Sequence, residues 1–313
     1  MSTRRDFIKQ SSIVGLASVV NPLETLATIP LQKTTNEKTK WADGSRLVVS
    51  VSMQFEAGNQ PNTADSPFPK IKDGYKDLPA NTWFQYGYKE GIPRMLDNWD
   101  KLSIKVTSHM VGAAVLNKPD LAKEIVSRGH EAAAHGMNWN DSYNLPYEEE
   151  KKYIKDGVDA VKNITGVTPI GYNANWLRRG ENTLNILQEL GFKYHIDDLS
   201  RDEPFIIQVK NKDFAVVPYT LRCNDILLIE GKGFSIDQFF NQVKAEFDQL
   251  YEESETKRRQ LSISFHDRIG GTPQMVKTAY DLIKYMQSHK GVSFKRKDEI
   301  AELVLNDKTT IRE

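Results

Sequence analysis

The stretch Leu47-Val48-Val49-Ser50-Val51-Ser52-Met53-Gln54-Phe55-Glu56-Ala57-Gly58 decides the fold. Leu47 to Met53 is rich in β-branched residues and runs into a turn that contains glycine, the pattern of a strand with a defined end. A strand end that delivers Gln54 and Glu56 into a turn matches α/β folds, where site residues leave the C-terminal ends of parallel strands.

The same alternation continues outward from this run. A long loop punctuated by aromatic, glycine and proline residues extends through Tyr88. Helices are expected over 91–101, 119–128, 147–165, 181–190, 236–253 and 273–288, with Gly191 stopping the fourth. Strands are expected over 104–111, 169–172, 194–196, 214–218 and 261–265. Strand–helix alternation at this density predicts an α/β fold built on a parallel sheet, open or closed into a barrel. Glu56, His135, Tyr219 and His266 all follow strand-like runs, which points to one site.

The chain has 313 residues, 39% hydrophobic and 27% charged, enough for one large domain with a substantial core. Lys+Arg and Asp+Glu both number 42, so net charge gives no electrostatic case for nucleic acid or an anionic membrane. Cys223 is the only cysteine. An intrachain disulfide and a multi-cysteine metal site are therefore excluded, and Cys223 reads as a packed thiol.

Ser2-Thr3-Arg4-Arg5-Asp6-Phe7-Ile8-Lys9 reads as a twin-arginine export signal, followed by the apolar run Ile13 to Val20. That run is too short to span a bilayer and has the length of a signal core. The expected division is a signal over 1–27 with cleavage after Ala27, a linker over 28–45 and a catalytic domain over 46–313. A periplasmic protein follows, with no membrane association after cleavage.

Position separates the six histidines. His289 lies at a helix end and His195 inside an apolar run, so both read as structural, whereas His109 in its strand reads either way. His266 enters Asp267-Arg268-Ile269-Gly270-Gly271-Thr272-Pro273, a turn-rich loop with both charge signs that suits an acid or base. In Gly129-His130-Glu131-Ala132-Ala133-Ala134-His135-Gly136-Met137-Asn138-Trp139 the histidines are five apart. That spacing puts them on opposite faces of a strand, or about 140° apart on a helix, so they do not share an ion. His130 reads as holding the loop and His135 as the site residue. A hydrolytic metal centre usually needs three protein ligands and an open position. Where a second histidine one turn after His135 would complete a pair, the chain has Trp139.

These motifs resemble the polysaccharide deacetylase (NodB-like) superfamily, a distorted α/β barrel. Gly129-His130-Glu131 leading to His135 looks like its second motif. In metal-dependent members an aspartate and two histidines four apart bind a divalent ion, a second aspartate is the base, an arginine supports the site and a late histidine is the acid. Here Gln54 stands at the base position, Glu56 at the ligand position and Trp139 at the second histidine. Gly171-Tyr172-Asn173-Ala174-Asn175-Trp176 has asparagine where the arginine is expected. His135 and His266 are retained.

The chain is more similar to the metal-independent bacterial allantoinase branch of that superfamily. The likeness rests on Gln54-Phe55-Glu56 with Gly58, on Trp139, and on Val217-Pro218-Tyr219-Thr220-Leu221 with Asn224-Asp225-Ile226. Leu261 to His266, followed by Arg268, Gly271 and Pro273, extends it. Ala57 replaces the branch's second glutamate, and Arg222-Cys223 replaces its Asp-Thr.

The resemblance implies a hydrolase of a cyclic ureide or cyclic amide C–N bond. Glu56 and His135 would activate water or position the carbonyl, and His266 would protonate the leaving nitrogen. Gln54, Trp139, Tyr219, Asn224, Asp225 and Arg268 would bind substrate or the developing oxyanion. A glutamate base needs a raised pKa, which burial among Phe55, Trp139 and Trp176 is expected to supply. No metal or other cofactor is expected, and the partner is a small molecule, with a homo-oligomer left open. The alternatives are a metal-dependent polysaccharide or peptidoglycan deacetylase, with a site rebuilt from Glu56, His135 and His109 or Asp141, and a non-catalytic ligand-binding relative.

Overall fold

The computed structural model describes residues 40–60 and 66–313. The twin-arginine signal and most of the expected linker lie outside the described residues. Within that linker segment Trp41 is buried, and its indole N–H donates to the Arg259 carbonyl at 3.2 Å. The packed body therefore begins by Trp41, before the expected start at 46.

In chain order the body opens with β1 (Leu47–Phe55), α1 (Leu78–Tyr86), α2 (Ile92–Leu102), β2 (Thr107–Met110), α3 (Gly112–Asn117) and α4 (Pro119–Ser127). It continues with β3 (Glu131–Ala134), α5 (Tyr147–Thr165), β4 (Gly171–Tyr172), α6 (Thr183–Glu189), β5 (Tyr194–His195), β6 (Phe205–Val209) and β7 (Lys212–Val216). The last third holds α7 (Ile236–Glu253), β8 (Arg259–His266), α8 (Asp267–Gly270), α9 (Pro273–Gln287), β9 (Val292–Phe294) and α10 (Lys297–Asn306).

The strands form one curled sheet in the order β6-β7-β5-β4-β3-β2-β1-β8. Every pairing is parallel except β6 with β7. On one side of β1, β9 pairs with Leu47–Val49 and β2 with Ser52–Phe55. A bridge from Asn224 to Ser264 draws the loop after β7 towards β8. The result is the distorted half-barrel expected of the NodB type.

Alternation along β1 sorts its two faces, because successive side chains point oppositely. Val49, Val51, Met53 and Phe55 join the large outer core with residues of α2, α4, α7 and α9. There Phe265 of β8 meets Trp99 at 5.8 Å and Phe239 at 6.2 Å between ring centroids. The other face carries Val48, Ser50, Ser52 and Gln54 into the barrel interior. Val48 packs there with Tyr194, Val217 and Tyr219, and with Ile300, Ala301 and Val304 of α10. Helix α10 thus plugs the N-terminal end of the barrel and leaves the C-terminal end for the site.

Six elements differ from the sequence expectation. The stretch before Tyr88 contains α1, started by Asp77, whose carboxylate accepts from the Ala80 N–H at 3.0 Å, and by Pro79 in its first turn. α3, α8, α10, β6 and β9 have no counterpart in the sequence expectation. Between α1 and α2, Gly87 and Gly91 lie so close to Asp267 that a Cβ at either would collide with it. Glycine at these positions lets this segment rest against the loop that carries Arg268.

Candidate active site

A cavity of about 330 Å³ lies at the C-terminal end of the sheet, lined by Gln54, Glu56, His135, Trp139, Tyr219, Asn224 and His266 among others. Seven of the nine residues expected at the site therefore share one cavity. Strand register explains much of this. Gln54 is level with His109 on one side and His266 on the other, so all three side chains point to the same face. His135 follows β3, Asn173 follows β4 and Tyr219 follows β7.

Each histidine is held by one ring nitrogen. His135 Nδ1 lies 2.8 Å from the Asn173 carbonyl, which only accepts, so Nδ1 carries the proton and the Nε2 lone pair is free. Burial pulls the His135 pKa below its ordinary value of 6.5, helped by His266, against the opposing pull of the Asn173 carbonyl and Glu56. His135 is thus a neutral imidazole at neutral pH. His266 Nδ1 lies 2.7 Å from Asp225 Oδ1, and the His266 backbone N–H donates to Asp225 Oδ2 at 2.7 Å. A buried carboxylate in this position fixes both ring orientation and tautomer.

Asp225 and Arg268 correct the expectation. Asp225 is fully buried behind His266 and is not a cavity wall, so it positions the histidine and does not touch substrate. Arg268 is buried behind Glu56, with its guanidinium carbon 4.9 Å from the Trp83 ring and 5.4 Å from those of Phe84 and Trp139. Its Nη1 pairs with Glu56 Oε2, which also accepts from Gln60 at 3.1 Å. Arg268 instead faces a second cavity of about 270 Å³, which shares Trp139, Trp176, Ile226 and Leu227 with the first.

Glu56 behaves opposite to expectation. Burial alone pushes its carboxyl up, but Arg268, His266 and His135 more than offset this, and the net shift is downward. Glu56 is a carboxylate at neutral pH and a weaker base than expected. Its neighbour Asp267, which accepts from the Ala57 N–H at 2.8 Å, is pushed up by burial and by Glu56. Burial also raises Tyr219, so its hydroxyl stays protonated and able to donate. Asn224 Nδ2 donates to that hydroxyl at 2.6 Å, and Asn224 Oδ1 accepts from the Ile226 N–H.

Sequence reading missed Asp197, buried after β5. It accepts from Asn173 Nδ2 and from the Ala174 N–H, both at 2.9 Å, and so fixes the loop whose carbonyl holds His135. The available signal was an acidic pair, Asp197-Asp198, directly after a strand-like run. The rim beside it is strained: Trp176 and Leu177 have φ of 52° and 59°, unusual for residues with a Cβ. His130 and His195 are structural as expected, each accepting a backbone N–H at 3.1 Å.

The donor set does not fit the divalent ion of metal-dependent relatives. One Glu56 oxygen is engaged by Arg268, Trp139 occupies the second histidine position, and Asp141 is exposed. Among the described residues no group of three or more His, Cys, Asp or Glu side chains is arranged to hold an ion. None of their helices is long and apolar enough to cross a membrane.

The polysaccharide deacetylase family model matches residues 78–195, a span that includes His109, His135 and Trp139. A putative polysaccharide deacetylase of Schizosaccharomyces pombe is 24% identical over 293 residues, covering 84% of this chain and 91% of that protein. A probable polysaccharide deacetylase from Pseudomonas aeruginosa superposes with a TM-score of 0.80 at 27% identity, covering 86% of this chain and 94% of that one. The structure of Puue allantoinase superposes with a TM-score of 0.78 at 27% identity, covering 85% and 92%.

Proposed function

We propose, from the premise that the chain belongs to the polysaccharide deacetylase family and is a hydrolase of carbon–nitrogen bonds, that it opens a cyclic ureide or cyclic amide by metal-free acid–base catalysis. One observation carries the reading: two histidines face one cavity, each held by its Nδ1, with Glu56 tied to Arg268.

In this mechanism His135 Nε2 takes a proton from water as the water oxygen attacks the substrate carbonyl. Glu56, anionic and close by, stabilises the imidazolium that forms, in line with its upward pull on His135. The Tyr219 hydroxyl donates to the developing oxyanion. His266 enters the step as an imidazolium paired with Asp225 and delivers its Nε2 proton to the leaving nitrogen, and the proton taken up by His135 restores it at the end of the cycle. Acid–base catalysis contributes about 10² to 10⁴-fold, so preorganised donors such as Tyr219 supply much of the rest.

Kinship with an allantoinase at nearly full length supports a small cyclic substrate. The polysaccharide deacetylase names of the other relatives favour a second reading, removal of an acetyl group from an amino sugar. The Arg4-Arg5 segment supports a periplasmic site of action. Purified protein should be assayed with allantoin, hydantoins, cyclic imides and acetylated amino sugars, with and without chelator, alongside elemental analysis. Turnover of a cyclic compound unaffected by chelator is the expected result. Turnover confined to acetylated sugars and abolished by chelator would overturn it in favour of the second reading.

A further inference from the structure

Gln54 and His109 form a buried pair. The Gln54 carboxamide Nε2 lies 3.2 Å from His109 Nδ1, and both side chains are almost fully buried. Gln54 Oε1 has no hydrogen-bond partner among the described residues, yet Gln54 lines the cavity beside His135 and His266. An orphaned acceptor in such a place is costly unless a ligand satisfies it.

The orientation of the amide depends on which ring nitrogen of His109 carries the proton. His109 is buried near Lys297, His135 and His266, and burial together with those groups keeps it neutral. With the proton on Nε2, His109 accepts from the amide nitrogen at Nδ1, and the amide oxygen of this cavity-lining residue is left without a partner among the described residues. His109 does not itself line the cavity, so it acts through Gln54.

We propose that His109 is a positioning residue that turns the Gln54 oxygen toward the substrate, and that this oxygen reads an unsubstituted N–H of the cyclic ureide or amide. The selected class is then a ring with a free N–H beside the scissile bond, in preference to its N-alkylated counterpart. This inference rests on the cyclic-substrate reading above.

The probes are hydantoin and its singly N-methylated derivatives, each measured for turnover and, by calorimetry, for binding to the full chain. Wild-type protein should prefer hydantoin to at least one methylated form by about tenfold or more, because methylation leaves the buried acceptor unpaired. Gln54→Met, similar in length but without the acceptor, should erase the preference; a purely steric preference would survive that change. His109→Phe should erase most of it, and His109→Gln, whose side-chain oxygen can accept the same bond, should keep it.

Turnover without the preference overturns the inference alone, as does a preference that persists in Gln54→Met. Should His109→Phe fail to fold, Gln54→Met decides on its own. Binding with the preference but without turnover supports the inference and overturns the hydrolysis reading. Absence of both binding and turnover overturns both.

Discussion

Two polar clusters occupy opposite ends of the same barrel, and burial does not distinguish them. At the N-terminal end the Lys297 ammonium donates to Ser50 at 2.9 Å and to Ser262 at 2.7 Å. Nearby, Glu131 accepts from Tyr194 and Thr107, both at 2.6 Å, and from the Asp298 N–H at 3.1 Å. Burial pulls Lys297 down to about 7 and pushes Glu131 upward, shifts as strong as those at many catalytic sites. Yet each of these groups is partnered and α10 seals them in. At the C-terminal end Gln54 Oε1, His109 Nε2 and Trp139 Nε1 lack partners among the described residues, and a cavity opens beside them. Unspent hydrogen-bonding capacity next to a cavity, more than a perturbed pKa, marks the working end.

Substitutions at the two ends should therefore fail differently. The largest effect is expected from His135→Ala and His266→Ala, each lowering kcat by roughly 10² to 10⁴-fold with little change in thermal midpoint. Lys297→Ala should do the reverse, costing about 2–4 kcal/mol of stability through the cavity and the stranded serines, with kcat of the folded enzyme nearly intact. Steady-state kinetics and denaturant unfolding on all three variants check this, and near-normal turnover in both histidine variants would break the contrast. Asp225→Asn should have a smaller effect, on the order of 10²-fold in kcat, because it misorients His266 without removing it. Its counterpart Glu131→Gln should leave kcat close to wild type in the same assay.

How far this contrast was legible in the sequence depended on how local each signal was. The apolar run of β1 and the strand ends before His135, Tyr219 and His266 are local patterns, and they located the cavity. Helix α10 opens with Lys297-Asp298-Glu299 and then carries an ordinary apolar stripe, so its role as the barrel plug emerges only from the packing of Ile300, Ala301 and Val304. The state of Glu56 was misread because the deciding partner, Arg268, is 212 residues away. Burial among aromatic residues was inferable from neighbours in sequence, but a guanidinium delivered by another strand end was not. The same holds for Asp225, whose identity was legible but whose position behind His266 was not.

Titration offers the finest test of the contrast. At the working end, activity requires neutral His135, whose pKa lies below 6.5, so kcat/KM should hold at neutral pH and fall on acidification through a value under 6.5. Glu56 pulls that pKa upward, so Glu56→Gln should shift the acid limb of whatever activity remains to still lower pH. At the sealed end the sign concerns stability. Lys297 titrates near 7 when folded and near 10.5 when unfolded, so between those values the unfolded chain binds more protons. Stability should then rise as pH increases from about 7 to 10.5, the contribution of Lys297 being most unfavourable below 7. Lys297→Met should flatten that rise in denaturant unfolding across the range and leave the kcat/KM profile where it was. A shifted acid limb in Lys297→Met would mean that Lys297 acts on His135 as well as on His109, and the division of the barrel into a working end and a sealed end would fail.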